Sequence, residues 1–323
     1  MSEKELHIPS IADVLDAKRS ISPYLGRTPL RLNFPLSKYL NSDAYVKYEN
    51  YLPTGAFKVR GGINLLSNLR NQNVKTVITA STGNHAQSIA YASNLFGIRA
   101  VIVMPEMANP TKVEATRSYG AEVVFHGKDF DEAREFAEQT AAQKGHRYIH
   151  SANEPLLISG VATLALEIFE DLPDVDVIIS PVGGGSGASG ACIVSHAMNP
   201  KTWVIGVQSE NAPAQYKSWK TKTLVSDKTE TFAEGLATRV GFELTQRVLR
   251  EGLHDFVLVS DDEIRNSMVI MIETAHTLAE AAGASPLAAA YKIRHLLKGK
   301  KVVLVLSGGN ISLDQLRKLL ADR

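Results

Sequence analysis

Four short stretches of this 323-residue chain place reactive or anion-binding residue types where a turn gives way to a helix. In Pro53-Thr54-Gly55-Ala56-Phe57-Lys58-Val59-Arg60-Gly61, a lysine follows a turn signal and has no acidic residue within four positions. Such an amine, once desolvated, can condense with the carbonyl of an aldehyde cofactor and act as a covalent catalyst. Ser81-Thr82-Gly83-Asn84-His85-Ala86-Gln87 follows an apolar run that ends at Ala80. Hydroxyls, a glycine and free backbone N–H groups at a helix start suit a carboxylate, although an ordinary cap uses the same hydroxyls.

In Pro181-Val182-Gly183-Gly184-Gly185-Ser186-Gly187-Ala188-Ser189-Gly190, five of ten residues are glycine, where a tight turn needs one or two. Backbone N–H groups converging at a helix N-terminus suit a phosphate. The last stretch, Ser307-Gly308-Gly309-Asn310, either presents a hydroxyl to a ligand ring or only turns the chain into a final helix capped by Ser312. A competing reading exists. Gly185-x-Gly187-x-x-Gly190, with Glu210 twenty residues on, satisfies the dinucleotide fingerprint and keeps an oxidoreductase open.

These stretches must be held by regular elements. Apolar, β-branched runs occur at Val77–Thr79, Ala100–Val103, Glu122–Phe125, Val177–Ile179, Trp203–Val207 and Lys301–Leu306, most followed by a helical period. Asp129 to Gly145 carries the helix signals best, with Asp129 and Glu132 spaced as a capping box and Gly145 as the stop. Short continuous strands between helices predict an α/β fold with a parallel sheet covered on both faces. In such sheets ligands bind beyond the C-terminal strand ends, where three of the four stretches lie.

Composition narrows the function classes. A net charge of +1 with no block of like charges argues against nucleic acid and membrane surfaces as partners. The tightest basic cluster, Lys298 to Lys301, reads as a solvated loop. The single cysteine, Cys192, rules out an intrachain disulfide and reads as a buried apolar residue in a reducing compartment. With no signal peptide or membrane-length apolar run, a soluble cytoplasmic protein is expected.

Taken together, the four stretches resemble the fold-type II pyridoxal-phosphate enzymes, and within them the threonine/serine dehydratase and serine racemase family. Further matches lie at Arg117-Ser118-Tyr119-Gly120-Ala121 and Glu234-Gly235-Leu236-Ala237. The resemblance implies two open twisted, mainly parallel sheets flanked by helices. Residues 1–75 with 151–323 would form a large cofactor-binding domain and 76–150 a small one, without a C-terminal regulatory domain. It implies pyridoxal 5'-phosphate as cofactor and Lys58 as the Schiff-base lysine, with Phe57 beside the ring. Asn84 would meet the ring's 3'-oxygen and Ser307 its nitrogen. Gly183, Gly184, Gly185, Ser186 and Gly187 would wrap the phosphate, with Gly235 near the reacting amine. Ser81, Thr82, Gly83 and His85 would line the substrate-carboxylate site.

The implied reaction is dehydration of a β-hydroxy-α-amino acid such as L-threonine or L-serine to a 2-oxo acid and ammonia, in a homodimer or homotetramer. Departures from the family pattern bear on the substrate. Racemases of the family place a serine base where Thr82 stands, which favours the lyase over the racemase. Gln208 and Pro213 occupy the region of the racemases' divalent-metal site, so no metal is expected. His150-Ser151-Ala152-Asn153-Glu154-Pro155 departs most, and small Ala152 implies a roomier side-chain pocket that would admit a bulkier 3-hydroxy amino acid.

Overall fold

A computed structural model describes residues 6–321. Among the described residues, ten strands build two sheets. β1 (Leu30–Leu32), β2 (Asp43–Tyr48), β7 (Val177–Pro181), β8 (Trp203–Ser209), β9 (Asp255–Val259) and β10 (Lys301–Leu306) form a six-stranded sheet ordered β1-β2-β10-β7-β8-β9. β3 (Thr76–Ala80), β4 (Arg99–Met104), β5 (Glu122–Phe125) and β6 (Arg147–Tyr148) form a four-stranded sheet ordered β5-β4-β3-β6. Of the described strand pairs, β1–β2 is antiparallel and the rest are parallel. The fold is α/β with two mainly parallel sheets flanked by helices, as expected.

Successive strand residues serve opposite faces, because side chains alternate across a strand. On the large sheet, Val177, Ile179, Leu304 and Leu306 pack with the helix Ala281–Lys292. Ile178, Val303 and Val305 pack with the helices Pro155–Asp171 and Ser186–Met198 on the other face. Two buried faces explain why these strands read as continuous apolar runs. Cys192 lies in that second layer, 3% exposed, and burial pushes its thiol up to about 12. None of the described helices is long and apolar enough to cross a membrane.

β2 escaped the pattern of apolar runs because Lys47 and two tyrosines interrupt it. Lys47 is fully buried, and its Nζ donates to Glu167 Oε2 at 2.6 Å and to the Thr28 carbonyl at 2.8 Å. This pair belongs to a larger network. The Arg60 guanidinium makes two hydrogen bonds to each of Glu49 and Glu167, all between 2.7 and 2.9 Å. The Thr163 hydroxyl accepts the remaining Nη1–H, and the Thr28 hydroxyl shares an Nη2–H with a carboxylate. Burial disfavours the charged Arg60, but Glu49 and Glu167 outweigh it and hold the guanidinium ionised.

Arg60 fixes the helix Lys58–Asn71, two residues after Lys58, to the turn that follows β2 and to the helix Pro155–Asp171. Glycines then let two more helices close on it. A Cβ on Gly61 would lie 2.8 Å from the Leu157 carbonyl, and one on Gly62 2.4 Å from Ser88 Oγ. One expected detail differs. Asp129 accepts the Glu132 N–H at 3.0 Å, but Glu132 Oε2 accepts from the Lys128 N–H instead of closing a capping box on Asp129.

Candidate active site

The four stretches converge at the C-terminal edges of the two sheets. Ser81 follows β3, the glycine loop follows β7, and Ser307 follows β10. The lysine-bearing turn is laid along the last of these. Phe57 N–H donates to the Ser307 carbonyl at 2.9 Å, Gly309 N–H to the Gly55 carbonyl at 2.9 Å, and Ala56 bridges Gly308. Gly55 takes φ +67, where a Cβ would also sit 2.4 Å from Asn310 Oδ1, so glycine is required there.

Lys58 opens its helix and reaches the glycine loop, where its Nζ donates to Ser186 Oγ at 2.8 Å. The side chain is half-buried by surface area, but its ammonium is enclosed by protein atoms and faces no carboxylate. Desolvation alone brings its pKa down to about 8. A useful fraction is therefore the neutral, nucleophilic amine near neutral pH.

The loop Gly183–Gly187 has the form of an anion cradle. Gly185 has φ +90, and the helix Ser186–Met198 begins there with no side-chain cap. Its first backbone N–H groups are thus free for a ligand. Gly183 lies against Gly235, so closely that a Cβ would stand 2.0 Å from the Gly235 carbonyl oxygen. The Phe57 ring supports the loop from below, 3.2 Å from where a Gly187 Cβ would be. We expect Gly183→Ala to displace this loop and weaken cofactor affinity at least tenfold (about 1.4 kcal/mol), read by spectrophotometric titration of the apoenzyme. Unchanged affinity would mean that the loop does not hold the cofactor.

The second uncapped helix, Asn84–Phe96, offers another set of free N–H groups beside Ser81, Thr82 and Gly83. Ser81 Oγ accepts the Gly83 N–H at 3.3 Å, and both hydroxyl residues are half-buried. His85 contributes differently from its neighbours. Its Nε2 lies 3.2 Å from Thr79 Oγ1, whose own proton goes to the Ile149 carbonyl at 2.8 Å. A hydroxyl has one proton, so His85 Nε2–H is the donor and Nδ1 is an acceptor only. Burial, with Lys58 and His150 nearby, lowers the ring's pKa to about 3. The neutral ring has no donor left for a carboxylate, so His85 can serve that ligand only through its backbone.

Asn84 is held at both ends. Its Nδ2 donates to Glu280 Oε1 at 2.8 Å, and its Oδ1 accepts from Asn310 Nδ2 at 2.7 Å. These partners fix the amide orientation and leave the second Nδ2 proton available to a ligand oxygen. Sequence reasoning missed Glu280. Burial pushes its carboxyl up to about 7, partly opposed by Asn84 and Lys112. The signal was a lone acid in Leu278-Ala279-Glu280-Ala281-Ala282-Gly283, a stretch otherwise of apolar and small residues. Ser307 is 3% exposed beside Gly308, and Ala152 is 1% exposed against Gly184. Ala152 thus abuts the glycine loop.

Comparison with known proteins agrees with this geometry. The family described as "Pyridoxal-phosphate dependent enzyme" matches residues 21–308. The chain is 38% identical over 315 residues to an L-threonine ammonia-lyase of Thermotoga maritima, covering 96% of this chain and 78% of that one. A catabolic L-threonine dehydratase of Staphylococcus aureus is 39% identical, covering 96% and 91%. Among solved structures, maize serine racemase superposes with a TM-score of 0.92 at 29% identity, covering 98% of each chain. Threonine deaminase isoform 2 of Solanum lycopersicum gives 0.91 at 32% identity, covering 99% and 94%.

The dinucleotide reading gives way to that match, and the spacing behind it has a packing cause. Gly190 is glycine because a Cβ there would lie 2.7 Å from Ala162 Cα on the neighbouring helix. The chain belongs to the family of pyridoxal-phosphate dependent enzymes.

Proposed function

We propose that the protein is an ammonia-lyase that dehydrates a β-hydroxy-α-amino acid such as L-threonine or L-serine, releasing a 2-oxo acid and ammonia. The observation that carries this reading is Lys58 Nζ, an amine without a carboxylate partner, 2.8 Å from the glycine loop and with its pKa lowered to about 8. The residues fit pyridoxal phosphate. Gly183–Gly187 offers free N–H groups to a phosphate, Lys58 offers an amine to an aldehyde, and Asn84 and Ser307 flank the space between. When bound, the cofactor supplies the aldehyde that engages the amino group and the conjugated ring that accepts the electron pair left on Cα.

The remaining work falls to the chain. The helix start at Asn84, with Ser81, Thr82 and Gly83, binds the substrate carboxylate. Asn84 and Ser307 orient the ring, and Ser307 presents a neutral hydroxyl where a carboxylate would force protonation. Lys58 Nζ takes the proton from Cα, a role for which a neutral, desolvated amine is suited. Gly235 lies against Gly183 of the glycine loop, and the same reading puts it near the reacting amine. The same reading includes two lobes, 1–75 with 151–323 and 76–150, each built on one sheet. It also includes a cytoplasmic homodimer or homotetramer, which light scattering of the purified protein tests.

Holoenzyme incubated with L-serine, L-threonine and a bulkier 3-hydroxy amino acid is expected to yield 2-oxo acid and ammonia. D-serine formed without oxo acid would overturn the lyase in favour of a racemase using Thr82. Because the neutral amine is the reactive form, capture of added cofactor by apoenzyme should accelerate as pH rises through about 8 and then level. Stopped-flow absorbance gives the profile, and a rate flat from pH 6 to 10 would contradict the assignment.

A further inference from the structure

His150 follows β6, the strand beside β3, and so stands on the same sheet edge as the Ser81–His85 loop. Its neighbourhood places it between the two anion sites. On one side, Thr79 Oγ1 links the His85 ring to the carbonyl of Ile149, the residue before His150. On the other, the His150 ring meets Phe242 edge-on with centroids 5.5 Å apart, and Phe242 lies 3.9 Å from where a Gly184 Cβ would be. A substrate with its carboxylate at the first site and its amine directed toward Lys58 would carry its β-carbon toward this interval.

Hydrogen bonds fix the His150 tautomer. Nδ1 accepts the backbone N–H groups of Ala152 at 3.0 Å and Asn153 at 2.9 Å. Nδ1 therefore carries the lone pair, and the ring proton is on Nε2. That Nε2–H has no hydrogen-bond partner among the described residues, and the half-buried ring leaves it open to solvent. Glu138 and Arg134 from the helix Phe130–Lys144 face the ring with opposite charges, and His85 and Tyr148 are its other titratable neighbours. Burial lowers the His150 pKa, in keeping with a neutral ring.

We propose that His150 is a further catalytic residue, whose Nε2–H donates a hydrogen bond to the departing β-oxygen of the substrate. The inference rests on the lyase reading above. As the Cβ–O bond breaks, its electron pair moves onto oxygen, and a fixed donor stabilises the charge where it develops. The Nε2 proton stays on the ring. The hydroxide takes up the proton that Lys58 removed from Cα, so the substrate loses the elements of water and Lys58 returns to the neutral amine. The two backbone N–H bonds at Nδ1 keep the donor aimed and oppose protonation of the ring.

The test compares two leaving groups in holoenzyme. L-Serine loses hydroxide, which needs a donor; 3-chloro-L-alanine loses chloride, which does not. His150→Asn keeps an acceptor near the Nδ1 position for the loop N–H groups and removes the distal donor. His150→Phe, as a second variant, keeps the aromatic contact with Phe242. The readout is the ratio of kcat/KM for L-serine to that for 3-chloro-L-alanine, which is independent of the fraction of enzyme correctly folded. A fall of about a hundredfold in this ratio is expected, the size typical for loss of one such donor. Equal losses on both substrates, as for a residue that only shapes the loop or binds the carboxylate, would overturn the inference alone. A wild-type enzyme that eliminates from neither substrate would overturn the lyase reading and the inference with it.

Discussion

Replacing Lys58 with alanine should reduce turnover by at least a thousandfold while leaving the far-ultraviolet circular dichroism unchanged. In the proposed reaction the side chain supplies both the amine for covalent attachment and the base for Cα, and general-base catalysis alone is commonly worth about 10²–10⁴-fold. Lys112, another partly enclosed lysine, is committed to an ion pair with Glu234. Lys58→Arg is expected to be equally inactive, because a guanidinium does not deprotonate in proteins. Steady-state assays on cofactor-saturated variants check both, and activity within tenfold of wild type in either would assign the chemistry to another residue.

The largest stability effect is expected at Arg60. Arg60→Met removes one member of a buried four-charge network, leaving Glu49, 0% exposed, without its cation and Glu167, 7% exposed, with Lys47 alone. Breaking a buried pair from one side costs about 3–5 kcal/mol, because the remaining charges lose their compensation. The urea midpoint of the apoenzyme reads this loss. Arg19→Met is the contrasting control, since its pair with Asp16 is 78% and 71% exposed and such pairs contribute about 1 kcal/mol or less. Equal shifts for the two variants would show that the network does not anchor the helix that begins at Lys58.

The same network explains part of what the sequence concealed. Lys47 reads as a polar break in a strand because its partner Glu167 lies 120 positions away. Glu280 looks unremarkable for the same reason: the Asn84 amide it orients is 196 positions distant. β6 has two residues, too few for any period to show. By contrast, β3, β4, β7, β8 and β10 were legible because both faces are buried and the runs are bounded by turn residues. The glycine loop was legible because the close approach of Gly183 to Gly235 and the positive φ of Gly185 each demand glycine, a requirement that shows in the local sequence. The turn that carries His85 was legible as a helix start, but the direction of the ring was not, since that depends on the Thr79–Ile149 contact. Residues whose task is set by their neighbours along the chain could be read; those whose task is set across the fold could not.

The most direct test of the central claim treats purified holoenzyme with borohydride and locates the fixed cofactor by peptide mass spectrometry. A pyridoxyl group on Lys58, in the peptide containing Ala56-Phe57-Lys58-Val59, is the expected result. Fixation on a different lysine, or a colourless protein that takes up no pyridoxal phosphate, would contradict it.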